Sequence, residues 1–128
     1  ESLVEGDLIN LLNNRNINVL YTFTNAKTFY KEQEWEYDII AENTNEVVVC
    51  EVKTMLKVED VNHFLEKLKL FKTIFKKFKK YKVYGAVAYL RVDEEADKYA
   101  YRKGLFVIKA TGKSATITND KKFKPKEF

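Results

Sequence analysis

The sequence of 128 residues contains one cysteine, one histidine, one proline and four glycines. A single cysteine excludes an intrachain disulfide and a zinc site built from several thiolates, which fits a chain that works in a reducing cytoplasm. Cys50 itself lies in an apolar run, where a small buried hydrophobic residue is the simplest interpretation. No apolar run approaches the length of a bilayer and no signal peptide is visible, so we expect a cytoplasmic protein without a membrane partner.

The composition is that of an ordinary globular domain, with 45% hydrophobic, 14% aromatic and 33% charged residues. A chain of this length can bury one core, so we expect a single domain over residues 1–128 that ends in a loosely held basic tail at residues 120–128. The net charge of +4 and the pI near 9.0 favour a polyanionic partner. Abundant lysine and asparagine could equally reflect a nucleotide-biased genome.

Hydrophobic periodicity predicts the element order α-β-β-β-α-β-α-β-β. Residues 25–33 are polar, and we expect them to separate the first strand from a hairpin within residues 34–54. A long helix between two apolar strands requires a crossover connection, which predicts a mixed sheet with helices on both faces. Outside the hairpin, the predicted elements are helices over residues 2–14, 58–81 and 93–104 and strands over residues 18–24, 82–92, 105–110 and 114–119.

The turn sequence ENTNE predicts the register of the hairpin, because asparagine tolerates left-handed backbone angles. With the turn centred in this sequence, Asp38 lies opposite Glu51, and Glu36 lies opposite Lys53. Directly opposed residues point to the same face of a sheet, with Cβ atoms about 5 Å apart. The carboxylates of Asp38 and Glu51 should therefore converge.

Two carboxylates this close repel each other unless a cation compensates them. Mg²⁺ suits such oxygen ligands, because it takes one or two carboxylates and completes its shell with water and phosphate oxygens. Lys53 would lie beside the ion, where it could help deprotonate water or neutralise charge on a phosphate. A simpler alternative is a solvated charged face with a Glu36–Lys53 ion pair, and the hairpin alone does not decide between the two.

Asp38, followed after twelve residues by Glu51-Val52-Lys53 at the end of an apolar strand, resembles the PD-(D/E)XK signature of the restriction-endonuclease-like nuclease superfamily. The element order also resembles the αβββαβ core of these nucleases, here with an additional C-terminal helix and β-hairpin. Residues 52–72 and 83–112 resemble an uncharacterised prokaryotic branch of the superfamily. Members of that branch often carry a helical or coiled-coil region upstream of the nuclease-like domain.

This resemblance implies a site in which Asp38, Glu51 and the backbone carbonyl of Val52 bind Mg²⁺ or Mn²⁺, with Lys53 as the catalytic lysine. Many members also have a glutamate on the first helix that reaches the metal, and Glu5 is the first candidate for that role. Asp7 is the second candidate for the same role. Glu36 fits a variant of the first half-motif. The residue before Asp38 is Tyr37, where the motif's name has proline.

The implied function is metal-dependent hydrolysis of phosphodiester bonds, with DNA as the expected substrate. Cutting both strands of a duplex commonly needs two sites, which would imply a homodimer. The alternative is a catalytically silent module on the nuclease fold that binds nucleic acid or protein.

Three features in and just after the long helix have both a functional and a structural interpretation. His63 could contact a phosphate or assist the site, although a lone helical histidine is more often a surface residue. Lys67, one turn further, has the same two interpretations. The lysine-rich segment 67–82 could follow a phosphate backbone, and we favour slightly the alternative that it is a solvated helix face.

Overall fold

A computed structural model describes residues 2–128, with side chains from residue 4 onward. Within these residues the chain forms one six-stranded sheet, three α-helices and a short 3₁₀ turn at Lys76–Phe78. The helices are α1 (Ser2–Asn13), α2 (Val58–Ile74) and α3 (Ala96–Arg102). The strands are β1 (Tyr21–Tyr30), β2 (Gln33–Glu42), β3 (Glu46–Leu56), β4 (Lys82–Val92), β5 (Phe106–Ala110) and β6 (Ala115–Ile117).

The six strands lie in the sheet in their order along the chain, from β1 at one edge to β6 at the other. Strands β1, β2 and β3 form an antiparallel meander, and β5 and β6 form an antiparallel hairpin. Strand β4 runs parallel to both β3 and β5, because α2 and α3 provide the crossover connections. The predicted element order and the mixed sheet are confirmed.

The helices cover opposite faces of the sheet. The core on one face joins β3 and β4 to α2 and α3, through buried residues that include Val49, Phe64, Leu68, Val87 and Ala100. The core on the other face packs Leu8 and Leu12 of α1 against the sheet. No helix among the described residues is both long and apolar enough to cross a membrane.

Strand β1 is longer than its predicted extent of residues 18–24, because it continues through most of the polar segment to Tyr30. As an edge strand it is largely exposed, with Phe29 exposed by 78%. A strand that buries little carries little of the apolar pattern on which sequence prediction depends.

The ribbon formed by β1 and β2 is irregular at Asn25 and Asp38. The strands pair as far as Thr24–Ile39 and pair again from Ala26–Tyr37, so Asn25 and Asp38 are the one unpaired position between them. Asn25 has a φ of 54°, a left-handed conformation that asparagine adopts more easily than most residues. The alternation of side chains breaks here, since Tyr37 packs in the α2-side core and Ile39 in the α1-side core. The chain therefore changes direction at Asp38.

The C-terminal residues are held against the sheet, and our expectation of a loosely held tail was wrong. The backbone N–H of Phe128 donates to the carbonyl of Val83 at 2.8 Å, and its ring packs against the α2-side core. The ring of Phe123 meets that of Phe106 edge-on, with centroids 5.4 Å apart. Aromatic residues spaced between lysines thus anchor a segment whose charge suggested a solvated tail.

Candidate active site

The predicted register of the β2–β3 hairpin is confirmed from Glu42–Val47 to Ile39–Cys50. Pairing ends there, one pair before Asp38 and Glu51, and the expectation that it continues outward was wrong. Beyond this point β2 pairs only with β1, where Glu36 lies opposite Lys27, while β3 continues along β4. The two strands separate and leave an opening between them at the residues of the predicted motif.

The carboxylate of Asp38 lies in this opening. Its Oδ2 atom accepts a hydrogen bond of 2.8 Å from the backbone N–H of Val52. The N–H and C=O of an extended residue point to the same edge of its strand, so the carbonyl of Val52 also faces Asp38. The structure therefore brings together two of the predicted metal ligands, one carboxylate and one backbone carbonyl.

Glu51 is directed to the α2 face and is only 5% exposed. Its Oε1 atom lies 2.9 Å from the Nζ atom of Lys67, and both side chains are 7% exposed. The carboxylate and the ammonium thus form a buried, hydrogen-bonded ion pair, which is how a buried charge becomes tolerable.

Lys67 is the residue whose importance sequence reasoning underestimated. It lies on the buried side of α2 among Phe64, Leu68 and Phe71, at positions with helical spacing. A lysine within such an apolar stripe is a signal for a buried partner, because lysine is almost never fully buried unless it is paired.

Tyr37, which stands where the motif's name has proline, joins β2 to the middle of α2. Its hydroxyl donates to the backbone carbonyl of Lys67 at 3.0 Å. Its ring meets Phe71 and Phe75 edge-on and lies 5.1 Å from the ammonium of Lys67. The tyrosine therefore fixes the helix that carries the buried lysine.

Lys53 projects to the same side of β3 as Glu51, because side chains alternate along a strand. Its side chain is 40% exposed, and its Nζ atom lies 3.8 Å from Oδ1 of Asp60 in the first turn of α2. Asp60 also accepts a hydrogen bond from the backbone N–H of Lys57, which fixes its position. The ion pair of Lys53 is therefore with the helix, whereas the alternative considered above had paired it with Glu36.

The two acidic residues considered on α1 diverge. Glu5 accepts a hydrogen bond of 3.4 Å from the hydroxyl of Thr22 on β1, and the first turn of α1 lines the same cleft as the carboxyl end of β3. Asp7 instead accepts a 2.8 Å bond from the backbone N–H of Ala115 on β6. Glu5 therefore faces the β1 edge of the sheet, and Asp7 ties the helix to the β6 edge.

His63 is exposed on α2, one turn before Lys67, and stacks on Trp35 of β2 with ring centroids 6.0 Å apart and planes inclined by 16°. The indole Nε1 atom of Trp35 is buried and has no hydrogen-bond partner among the described residues. These two rings join α2 to the part of β2 that no longer pairs with β3. Trp35 is the single tryptophan of the sequence.

Asp38 and Glu51 both act electrostatically on Cys50, the last residue of β3 that pairs with β2. Burial raises the pKa of the Cys50 thiol, and the negative charges of Asp38 and then Glu51 raise it further. Burial also raises the pKa of the Tyr37 hydroxyl, with a further contribution from Glu51. Both carboxylates thus act on the same short segment of β3, Glu51 from that strand and Asp38 from β2.

The donor atoms at this opening suit a hard divalent cation. Mg²⁺ is commonly held by one or two carboxylates and retains several water molecules, so Asp38, Glu51 and the Val52 carbonyl are an adequate set. Among residues 2–128, no three carboxylate, histidine or cysteine side chains lie close enough together to hold a metal by themselves. A cation here would therefore depend on the carbonyl, on water and on substrate oxygens, and it would meet Lys67 already paired with Glu51.

The sequence matches no family model, and no curated protein matches it at a significant level. Solved structures do resemble this chain. A repair endonuclease from Pyrococcus abyssi aligns with a TM-score of 0.57 and 16% identity over 86% of this chain and 46% of its own. A protein of unknown function named AF1548 aligns with a TM-score of 0.54 and 20% identity over 84% of this chain and 57% of its own.

The chain has a restriction-endonuclease-like fold. The fold class expected from the motif is thereby confirmed, including the mixed sheet flanked by helices. A third structure, an EndoMS–double-stranded DNA complex, aligns with a TM-score of 0.47 and 14% identity over 84% of this chain and 43% of that one. The chain spans about half the length of the solved structures it matches.

Proposed function

We propose that this chain is a metal-dependent nuclease domain that hydrolyses phosphodiester bonds in DNA. The observation that carries the proposal is the opening between β2 and β3, where Asp38 meets Val52 beside Glu51 and Lys53 on a restriction-endonuclease-like fold. The net charge of +4 supports a polyanionic substrate. We propose DNA as the substrate because the motif resembles that of the restriction-endonuclease-like nucleases.

In this proposal the metal ion is Mg²⁺ or Mn²⁺, and its ligands are Asp38, Glu51 and the Val52 carbonyl, with Glu5 as a further ligand directly or through water. A bound ion would polarise the phosphodiester and lower the pKa of an attacking water. The hydrogen bond from Val52 occupies one oxygen of Asp38, and the other oxygen would be the one to bind the ion. In the metal-free protein the Glu51 carboxylate is held by Lys67.

Lys53 would act on the substrate. Its ammonium is accessible at the same end of β3, and its contact with Asp60 at 3.8 Å is longer than a hydrogen bond. It can therefore move to a phosphate oxygen and neutralise the charge that develops during hydrolysis. In the proposal the exposed His63 contacts the nucleic-acid backbone, and Glu36, in the part of β2 that has left β3, has an auxiliary role.

A metal-dependent cleavage assay on plasmid and on labelled oligonucleotides tests the proposal. We expect Mg²⁺-dependent cleavage by the wild type and a loss of at least about a hundredfold in Glu51→Gln and in Lys53→Ala, since removing one charge-stabilising group commonly has this effect. Lys69→Ala, which removes an exposed lysine of α2, is the matched control and should keep full activity. Equal cleavage by all four proteins would overturn the assignment.

The buried Glu51–Lys67 pair also favours a second candidate function, a catalytically silent module that binds nucleic acid or protein. Lys67 neutralises the buried charge of Glu51, so the protein can be stable without a metal at this position. Such a module would bind DNA without cutting it, and its DNA affinity would not change on Glu51→Gln. If both strands of a duplex are cut, we propose that two copies act as a homodimer, which the concentration dependence of double-strand cleavage would test.

A further inference from the structure

The Glu51–Lys67 pair places a permanent positive charge on a carboxylate that the proposed function needs for a metal. The Nζ atom is 2.9 Å from Oε1, within hydrogen-bond distance, and both side chains are almost completely excluded from solvent. An ammonium at this distance repels an approaching divalent cation strongly, because screening by water is weak at a buried position. Metal and lysine therefore compete for the same carboxylate.

The surroundings of Lys67 hold it in this position. Its backbone carbonyl accepts the hydroxyl of Tyr37 at 3.0 Å, and the Tyr37 ring lies 5.1 Å from the ammonium. Phe64 and Leu68, its neighbours on the buried side of α2, are fully or almost fully buried. The ammonium can leave Glu51 only by rotation about the bonds of its own flexible side chain.

We propose that Lys67 is an internal cation that occupies Glu51 in the absence of metal and must be displaced before a divalent ion binds there. This inference rests on the proposed function. It makes Lys67 a positioning residue with two roles, since it keeps Glu51 ordered in the empty site and weakens the affinity of that site for metal. The site should then bind a divalent cation weakly on its own.

Titration of the folded protein with Mn²⁺ alone, followed by calorimetry and by the fluorescence of Trp35, tests this without any cleavage assay. Lys67→Gln removes the charge and keeps an amide that can donate to Glu51. We expect it to bind Mn²⁺ at least about tenfold more tightly than the wild type, because one unfavourable charge near the ion is gone. Lys69→Gln, with the same charge change at an exposed site of α2, should bind as the wild type does.

The double variant Glu51→Gln/Lys67→Gln separates the possible results. The proposal requires that this variant lose the gain in affinity, and a gain that persists without the carboxylate would overturn it. Equal or weaker Mn²⁺ binding by Lys67→Gln, beside wild-type binding that depends on Glu51, would overturn this inference and leave the proposed function standing. Failure of every protein to bind Mn²⁺ would overturn both.

A buried glutamate without its ammonium can destabilise Lys67→Gln in metal-free buffer enough to complicate the calorimetry. In that case thermal unfolding provides the readout, since a ligand that binds only the folded state raises the Tm. The proposal then requires a larger rise in Tm with Mn²⁺ for Lys67→Gln than for the wild type. An equal or smaller rise would contradict it.

Discussion

The backbone N–H of Val52 donates its hydrogen bond to the side chain of Asp38, at the first position where β2 and β3 are no longer paired. A side-chain oxygen thus replaces the backbone carbonyl that regular pairing would supply. The aspartate has a structural role as well as a place in the candidate site, because a buried N–H without a partner is costly. Substitutions can separate the two roles.

Asp38→Asn should leave the free energy of unfolding almost unchanged, because the asparagine side chain also has an oxygen that accepts the Val52 N–H. Asp38→Ala leaves that donor unpaired and should cost about 1–3 kcal/mol. Both variants should lose Mn²⁺ binding, since neither carries a carboxylate. Urea unfolding and calorimetric titration measure the two effects.

Glu34→Ala, an exposed position on the same strand, is the control for the loss of one negative charge, and it should change neither quantity. If Asp38→Ala were as stable as Asp38→Asn, the hydrogen bond to Val52 would not support the separation of the strands. If Asp38→Asn bound Mn²⁺ as the wild type does, Asp38 would not be a ligand.

The hairpin register could be predicted because its turn is short and polar and its strands are apolar. The point at which this pairing ends could not be predicted. It depends on the neighbouring strands, because β1 pairs with β2 and β4 pairs with β3 beyond that point. Sequence reasoning about one hairpin treats its two strands as isolated. Asp38 and Glu51 were therefore correctly placed at one level of the sheet, but the hydrogen bond of Asp38 with Val52 and the ion pair of Glu51 with Lys67 were not predicted.

The role of Lys67 was missed for a different reason. A lysine-rich helix predicts a solvated face, and this prediction is correct for exposed positions such as Lys69. Lys67 departs from the others by its spacing from Phe64 and Phe71, which places it on the buried side. The partner of such a lysine lies in another element, so its identity emerges only when the fold is known.

Asn119 extends the sheet beyond the end of β6, and its substitution should destabilise the protein. Its Oδ1 atom accepts the N–H of Val107 at 2.6 Å, and its Nδ2 atom donates to the carbonyl of Leu105 at 3.1 Å. Asn119→Ala leaves the N–H of Val107 and the carbonyl of Leu105 without these partners, and we expect a loss of about 2–4 kcal/mol in urea unfolding. Thr116→Ala, at an exposed position on β6, should cost far less, and similar losses for the two variants would contradict this role.

Gly85 allows β4 to lie directly under α2, and a methyl group there should be destabilising. A Cβ atom at this position would lie 2.6 Å from Cδ1 of Leu68 and 2.7 Å from Cδ2 of Leu105. Both leucines are buried and cannot move freely, so Gly85→Ala should cost about 1–3 kcal/mol. Gly6→Ala is the matched control, because nothing lies within 4 Å of its Cβ position.

The control should change stability in the opposite direction. Gly6 is an exposed residue inside α1, where alanine is favoured over glycine by about 0.5–1 kcal/mol. Thermal unfolding should therefore give a lower Tm for Gly85→Ala and a higher Tm for Gly6→Ala. A Tm for Gly85→Ala equal to that of the wild type would show that the two leucines can repack without cost.

Cys50 should make the stability of the protein fall at alkaline pH. Burial and the charges of Asp38 and Glu51 raise the pKa of its thiol in the folded state, whereas in the unfolded chain the thiol ionises near its ordinary value of about 8.5. Below that pH both states are protonated and the full stability is present. Above it only the unfolded state releases its proton, so the free energy of unfolding decreases with pH.

The decrease should approach about 1.4 kcal/mol per pH unit at most, for the one proton that Cys50 contributes. Urea unfolding between about pH 8.5 and 9.5 isolates this effect, because tyrosine and lysine side chains ionise mainly above that range. Cys50→Ala removes the group and should flatten the slope, even though the smaller side chain lowers stability at every pH. The native thiol should also react slowly with disulfide reagents at pH 9, since thiolate is the reactive form. If the decrease in unfolding free energy with pH persisted in Cys50→Ala, the thiol would not be its cause. Rapid labelling of the folded protein would show that the thiol is ionised or accessible at pH 9.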